Sequence, residues 1–212
     1  MSAGKFITLE GIEGAGKSTA TAFVVATLRA AGLPVLATRE PGGTALAERI
    51  RQIVLERGTE SVTPMTETLL MFAARALHLS NLIRPALARG EWVVCDRFTD
   101  ATRAYQGSAR GVDGTLIEQL AQAVHPDLQP DCTLLLDLPV PVGLARARAR
   151  TGATDRFEAE TVAFFEKVRA GYLEIARRAP TRVRIIDAAA PLAQVERQLA
   201  GILTQLLPQR PA

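Results

Sequence analysis

The residues best suited to chemistry lie in one glycine-rich turn near the amino terminus. Residues 11–18 read GIEGAGKS and match the pattern G-x-x-x-x-G-K-S. Glycines in such a turn let successive backbone N–H groups point toward phosphate oxygens, and the N-terminus of the next helix adds partial positive charge. Lys17 would neutralise the β- and γ-phosphates of a nucleotide, and the Ser18 hydroxyl is placed to bind Mg²⁺. The motif predicts a phosphate-binding site.

A second group of cations follows the next predicted strands. Arg39 and Arg97 each come directly after an apolar run, and Arg51 lies in the helical segment after Arg39. The carboxyl ends of parallel strands face one crevice, so Arg39, Arg97 and the glycine-rich turn should converge there. Such cations suit an enzyme that transfers a phosphoryl group to an anionic acceptor, because two sets of phosphates repel until they are neutralised.

The elements that must position these residues alternate between strand and helix. Apolar runs rich in β-branched residues predict five strands, at residues 6–9, 35–38, 92–95, 133–138 and 183–186. The segments between them have helical periodicity. This order predicts an α/β fold of three layers, with a central, mostly parallel five-stranded sheet and helices on both faces.

Two helices have clear boundary signals. The first should run over residues 17–31, because Gly32 can adopt the left-handed conformation that ends a helix and Pro34 prevents continuation. The second should begin at Thr63 and Pro64, a capping residue followed by proline at the first helical position. It should extend toward residue 90, with Pro85 interrupting or dividing it.

Composition limits the class of protein. The chain has 212 residues, 48% of them hydrophobic, which suits one domain over residues 1–212. A charged excursion at about residues 141–160 is a candidate lid. The start of the sequence lacks signal-peptide features and no stretch approaches a membrane span, so we expect a cytoplasmic protein without a membrane partner.

Other bulk features argue against further classes of site. The formal net charge is only +3 and the basic residues are scattered, so we expect no nucleic-acid partner. Cys95 and Cys132 each lie in an apolar run, without the spacing of a zinc site or a redox pair. They are expected to be buried and reduced.

Other classes of nucleotide-binding protein fit less well. A guanine-specific switch would need an Asn-Lys-x-Asp segment, but Asn81, the only asparagine, is followed by Leu82. A motor or helicase would need more chain for its partner surfaces. A scaffold without turnover is disfavoured because Lys17, Ser18 and Asp96 are all present. A small-molecule kinase remains the favoured class.

Over nearly its whole length the sequence resembles the bacterial thymidylate kinases, which are P-loop nucleoside monophosphate kinases. The segments that carry the resemblance are GIEGAGKS at 11–18, TREPGG at 38–43, ERIR at 48–51, MFAAR at 71–75, DRFTDATRAYQG at 96–107, PDLQPDCTLLLDLPVPVGLARARAR at 126–150 and DRFE at 155–158. The resemblance implies transfer of the γ-phosphoryl group of ATP to dTMP, with Mg²⁺ as cofactor. Another nucleoside monophosphate, or a deoxynucleoside, is the competing acceptor.

The resemblance also implies two binding sites. The ATP site consists of the residues of the glycine-rich turn: Gly11, Ile12, Glu13, Gly14, Ala15, Gly16, Lys17, Ser18 and Thr19. The dTMP site consists of residues from four segments: Arg39, Glu40, Arg51, Phe72, Arg75, Arg97, Thr102, Tyr105 and Gln106. Phe72 would stack on the thymine ring and Arg75 would hydrogen-bond it; a spacing of four residues would instead place Met71 against the ring.

Catalytic and metal-binding roles follow from the same resemblance. Lys17, Glu13 and Arg97 are expected to be catalytic, together with Arg148 or Arg150 from the lid, while Arg156 contacts the substrate or anchors the lid. Asp96 and Asp137 both end apolar runs, and the family pattern favours Asp96, with Ser18, as the metal site. Family members are generally homodimers, which implies a homodimer here.

Overall fold

The computed structural model describes residues 4–56, 60–149, 156–157 and 160–208. Within them, one sheet contains five strands, which are β1 (Phe6–Glu10), β2 (Val35–Arg39), β3 (Trp92–Asp96), β4 (Cys132–Asp137) and β5 (Val183–Asp187). Their spatial order is β2-β3-β1-β4-β5, and every neighbouring pair is parallel. The predicted fold class is therefore confirmed.

The central strand carries the glycine-rich turn. All five residues of β1 are buried, as expected for a strand between two parallel neighbours with helices on both faces. In register, Leu9 of β1 pairs with Asp96 of β3 and with Leu134 of β4. The carboxyl ends of β1 and β3 thus meet at one edge of the sheet, where the predicted site residues begin.

Helices cover both faces of the sheet. Their bounds are α1 (Lys17–Ala30), α2 (Ala45–Leu55), α3 (Pro64–His78), α4 (Arg84–Ala88), α5 (Thr99–Thr102), α6 (Gly114–Val124), α7 (Val140–Arg148), α8 (Val162–Arg178) and α9 (Leu192–Leu206). Among the described residues, none of these helices is both long enough and apolar enough to cross a membrane.

The predicted helix boundaries have the expected chemistry. Thr63 accepts a hydrogen bond from the backbone N–H of Thr66 at 3.1 Å, and Pro64 is the first residue of α3. Gly32 adopts φ = 81° just beyond α1, and its N–H donates to the carbonyl of Arg29. Helix α3 therefore starts where the Thr63 side chain accepts from a free backbone N–H, and α1 ends where Gly32 satisfies a free backbone carbonyl.

The long helix predicted from Thr63 toward residue 90 is divided. Between α3 and α4 the backbone forms a π-helical turn at Leu79–Ile83, and Pro85 is the second residue of α4. Proline lacks an N–H and its ring clashes with the carbonyl four residues earlier, so a regular α-helix could not pass through it. The predicted division is confirmed. A second π-helical turn, at Arg103–Ala109, follows α5.

Candidate active site

The glycine-rich turn joins β1 to α1 and is held by close backbone packing. Gly11, Gly14 and Gly16 have φ values of 141°, 73° and 88°, which residues with a side chain rarely adopt. A Cβ atom on Gly11 would lie 2.5 Å from the carbonyl oxygen of Leu136, and one on Gly14 would overlap the carbonyl oxygen of Gly143. The turn therefore requires glycine for its conformation and for its contact with α7.

Lys17 is the first residue of α1 and its ammonium group lies over the turn. Its Nζ donates hydrogen bonds to the carbonyl oxygens of Gly11 and Ile12 at 3.0 and 2.9 Å. Burial, with a smaller contribution from Arg97, lowers the pKa of Lys17 from 10.5 to about 8. A phosphate placed beside this ammonium would favour its charged form.

Arg97 occupies a strained position directly after β3. It has φ = 71°, although it carries a side chain. Its guanidinium donates to Glu13 at 2.9 Å and to the carbonyl of Gly11 at 3.0 Å, and it lies 4.8 Å from the centre of the Tyr105 ring. Tyr105 donates to the other oxygen of Glu13 at 2.6 Å. Glu13 thus fixes a cation and a phenol beside the glycine-rich turn.

Glu10, at the end of β1, is a fully buried carboxyl group beneath Arg97. It accepts hydrogen bonds from the Phe98 N–H and the Tyr172 hydroxyl, both at 2.7 Å. Burial, reinforced by nearby Asp100, raises the pKa of Glu10 from 4.5 to about 8. Tyr172 also accepts from Arg97 at 3.1 Å, so Glu10 reaches the site through one intermediate hydroxyl.

The two candidate carboxylates for a metal ion differ in their surroundings. Asp137 forms a two-point ion pair with Arg169, at 2.7 and 2.9 Å. Asp96 has a buried Oδ1 atom that receives no hydrogen bond from any described residue, and it faces the same cavity as Lys17 and Ser18. Among the described residues, no cluster of three His, Cys, Asp or Glu side chains could hold a metal by itself. A site of one carboxylate, one hydroxyl and ligand oxygens is what Mg²⁺ commonly accepts.

One cavity of about 600 Å³ brings most of the predicted residues together. Those that line it are Glu13, Gly14, Gly16, Lys17, Ser18, Thr19, Arg39, Glu40, Arg51, Arg75, Asp96, Arg97, Thr102, Tyr105 and Gln106. Gly11, Ile12 and Ala15 do not line it but form the backbone of the turn. Arg51 is held by the carbonyl of Pro41 at 2.9 Å. Arg39 pairs with Glu48 at 3.0 Å and is mainly exposed.

Arg75 is a buried cation that lines the same cavity. It donates to Glu40 at 2.8 Å and to the Thr102 hydroxyl at 3.0 Å. Glu40 lies 3.0 Å from His78 Nδ1, and His78 Nε2 lies 2.7 Å from the Thr38 hydroxyl. Arg75 Nη1 has no hydrogen-bond acceptor among the described residues. This guanidinium therefore keeps one donor for a ligand.

Phe72 is not part of the cavity wall, contrary to its expected stacking role. Its ring is 3% exposed and packs with Ile117 and Ala121 of α6, and the Arg75 guanidinium lies 4.8 Å from its centre. Met71, one residue earlier, lines the cavity instead. A change of one residue turns a helical side chain by about 100°, and packing of α3 on α6 decides which of the two faces inward. The geometry thus favours Met71, four residues before Arg75, as the residue that faces a bound base.

The lid arginines are likewise distributed differently from the prediction. Arg148 is exposed at the end of α7 and does not line the cavity, whereas Arg146 does, with its guanidinium donating to the carbonyl of Ala188 at 2.8 Å. Arg150 lies outside the described residues. Arg156 donates to the carbonyl of Val54 at 3.0 Å, which ties this part of the candidate lid to α2.

Several residues at the site carried no sequence signal. Glu10 and Tyr172 belong to no motif, and they act through hydrogen bonds to Phe98 and Arg97, which do. Only the apolar run that ends at Glu10 placed that residue next to the glycine-rich turn. Glu67, which bonds Gln106 at 2.7 Å, begins a helix and gives no hint of its partner.

Comparison with known proteins gives one consistent result. The family model described as thymidylate kinase matches residues 9–199. The chain is 58% identical over 207 residues to a thymidylate kinase from Pseudomonas savastanoi pv. phaseolicola, covering 98% of both chains. It is 55% identical to one from Bordetella pertussis, covering 97% of each. Its structure matches the thymidylate kinase from Ehrlichia chaffeensis with a TM-score of 0.76 and 31% identity, over 95% of this chain and 99% of that one.

Proposed function

This chain belongs to the thymidylate kinase family and phosphorylates dTMP to dTDP, and from that premise we propose how its cavity binds Mg-ATP and dTMP. The observation that carries the proposal is a shared cavity. The glycine-rich turn, Arg97 and the polar side chains around Arg75 all line it. A donor phosphate chain and an acceptor nucleotide can thereby meet end to end.

On the donor side, the turn and Lys17 bind the phosphates of ATP. Backbone N–H groups of the turn and the N-terminus of α1 supply fixed partial charges. When ATP binds, the Lys17 ammonium exchanges its hydrogen bonds to the Gly11 and Ile12 carbonyls for contacts with the β- and γ-phosphates. Ser18 and the buried, unpartnered oxygen of Asp96 fit a Mg²⁺ ion. When bound, Mg²⁺ offsets the negative charge of the donor phosphates.

On the acceptor side, Arg97 holds the phosphate of dTMP, with Arg51 and Arg39 at the entrance. Glu13 and the Gly11 carbonyl already fix the Arg97 guanidinium, so little side-chain freedom is lost on binding. Tyr105, buried and fixed by Glu13, lies against the sugar. In this position its ring would meet a protruding 2′-hydroxyl, which favours deoxynucleotides.

The base end is read by the side chains around Arg75. The free Nη1 donor of Arg75 suits the O4 carbonyl of thymine, while Thr102 and Gln106 complete the polar edge. Met71 forms the apolar wall against the ring. Glu40 supports this arrangement because its buried ion pair with Arg75 fixes the position of the guanidinium group.

Transfer proceeds directly and in line, without a covalent intermediate on the protein. The phosphate of dTMP is already ionised at neutral pH, so no strong general base is required and catalysis is chiefly positioning and neutralisation. Arg148 or Arg150 supplies the lid cation that stabilises the transferring group, and Arg146 lines the cavity on the same segment. Closure of residues 141–160 excludes water and suppresses hydrolysis of ATP.

The protein acts as a homodimer in the cytoplasm. The solvent face of α3 is apolar at four-residue spacing, with Met65 and Leu69 44% and 49% exposed. Leu46 and Ile53 on the adjoining helix α2 are equally exposed, and an apolar surface of this kind favours association. Cys95 and Cys132 are both free thiols and buried, which suits a reducing compartment.

Substitution of Lys17 tests the donor side. Lys17→Ala should reduce phosphoryl transfer by about a hundredfold or more, because a preorganised cation at the transferring phosphate is lost. The protein should remain folded, since Lys17 belongs to none of the hydrophobic clusters of the described residues. ADP release and thermal unfolding would be measured together, with the exposed Lys167→Ala as the matched control. A folded Lys17→Ala protein with wild-type turnover would contradict the assignment of the turn.

A further inference from the structure

Glu67 is a buried carboxylate for which the reaction described above has no use. It lies in the first turn of α3, and its side chain is 1% exposed. Its Oε1 atom accepts from Gln106 Nε2 at 2.7 Å, and its Oε2 atom lies 2.6 Å from Arg156 Nη2. Arg110 Nε approaches Oε1 to 3.6 Å. Two guanidinium groups therefore lie around this one carboxylate.

An ionised carboxylate determines which end of an amide faces it. Both oxygens of Glu67 can only accept hydrogen bonds, so the Gln106 amide must present its NH₂ group to them. The carbonyl oxygen of Gln106 is then turned away from Glu67, and Gln106 lines the cavity whereas Glu67 does not. Glu67 acts there only through Gln106.

This orientation matters for the choice of pyrimidine. Thymine carries an N–H donor at N3, between two carbonyl acceptors, whereas cytosine carries a bare acceptor at N3. A carbonyl oxygen from Gln106 can accept from the N3–H of thymine but would oppose the N3 lone pair of cytosine. A site whose buried polar groups suit one pattern rejects the reversed pattern strongly, because those groups are left unpaired.

We propose that Glu67 is a positioning residue for base selectivity: it fixes the Gln106 amide with its oxygen toward the base and thereby favours dTMP over dCMP. The inference rests on the proposed function, in which Gln106 reads the base edge. The same carboxylate also holds Arg156 of the candidate lid, so a purely structural role must be separated from selectivity.

The test is the ratio of kcat/KM for dTMP to kcat/KM for dCMP. Glu67→Gln keeps the shape of the side chain but can face Gln106 with either an oxygen or an NH₂ group. The Gln106 amide can then turn, and the ratio should fall by about tenfold or more, with Arg75 preserving the rest of the preference. Glu118→Gln is the matched control, since Glu118 also pairs with an arginine, Arg103, but at the surface. Its ratio should equal that of the wild type.

Two further variants separate selectivity from structure. Arg156→Met removes the ion pair but leaves the bond between Glu67 and Gln106, so it should change both acceptors alike and keep the ratio. Glu67→Met combined with Arg156→Met replaces a buried pair by apolar groups, an exchange that folded proteins commonly tolerate. It should lower the ratio as Glu67→Gln does, and it covers the case in which Glu67→Gln fails to fold.

The outcomes are distinguishable. A ratio that is unchanged in the folded Glu67 variants, or one that falls as far in Arg156→Met, overturns the role of Glu67 and leaves the proposed function in place. A wild-type protein that does not prefer dTMP to dCMP overturns the assignment of Gln106 to the base, and the inference with it.

Discussion

Replacing Glu10 by glutamine should remove a large part of the pH dependence of stability. The substituted amide can accept the Phe98 N–H through its oxygen and donate its NH₂ group to the Tyr172 hydroxyl, so it reproduces the hydrogen bonds of a protonated Glu10. Unlike the carboxyl group, the amide has no proton to lose. The variant therefore isolates the ionisation of this one buried group.

The sign and size follow from the pKa of Glu10. In the unfolded chain the carboxyl ionises near 4.5, whereas in the folded protein burial raises the pKa to about 8. Between these values the folded state holds one proton more than the unfolded state, so stability falls as pH rises and levels off above about pH 8. At about 1.4 kcal/mol per pH unit, the whole displacement corresponds to an upper limit of about 5 kcal/mol.

The assay is urea unfolding of the wild type and of Glu10→Gln at pH values from 5 to 9. The difference in unfolding free energy, variant minus wild type, should rise with pH at up to about 1.4 kcal/mol per unit and then become constant. Glu166→Gln, at an exposed position, is the control and should give a flat difference. A flat difference for Glu10→Gln as well would refute the argument, because Glu10 would then ionise as it does in the unfolded chain.

Three other outcomes follow from the site and the surface. Met71→Ala should raise the KM for dTMP several-fold with little loss of stability, whereas Phe72→Ala should lower the unfolding free energy by about 3 kcal/mol; equal effects in kinetics and urea unfolding would contradict the different placement of the two side chains. ATP binding at pH 8.5 should take up protons, because phosphates raise the pKa of Lys17 above its value of about 8 in the ligand-free protein; calorimetry in buffers of different ionisation enthalpy would detect this, and no uptake would contradict it. Leu69→Glu should convert the proposed dimer to a monomer in sedimentation, and an unaltered dimer would exclude this face as the interface.

The features that sequence predicted well depend on short-range signals. Each strand contains mainly apolar residues, and the glycine-rich turn, the Thr63 cap and the Gly32 stop each need only a few neighbouring residues. The register of the sheet then brought Arg97 beside the turn, as the shared edge of parallel strands requires. Local chemistry was sufficient because the fold places consecutive strand ends together.

The features that sequence did not reveal depend on distant partners. Whether Met71 or Phe72 faces the cavity is decided by α6, where Ile117 and Ala121 receive the Phe72 ring. Periodicity marks both residues as apolar and cannot choose between neighbours. Packing of α3 against α6 therefore determines which of the two side chains faces the cavity.

The buried carboxylates illustrate the same limit. Glu10 meets its Tyr172 partner 162 residues along the chain, and the raised pKa of Glu10 arises from burial that no motif records. Glu67 meets Gln106 from another element. Such groups become visible only when every hydrogen-bond partner of a buried polar atom is accounted for.

The most direct test of the account is acceptor specificity with Mg-ATP. ADP release would be measured with dTMP, dUMP, dCMP, dAMP, dGMP, UMP and thymidine at equal concentrations. We expect a strong response to dTMP, a weaker one to dUMP and none to thymidine, which lacks the phosphate that Arg97 holds. A response equal across the panel, or one as strong with thymidine as with dTMP, would contradict it.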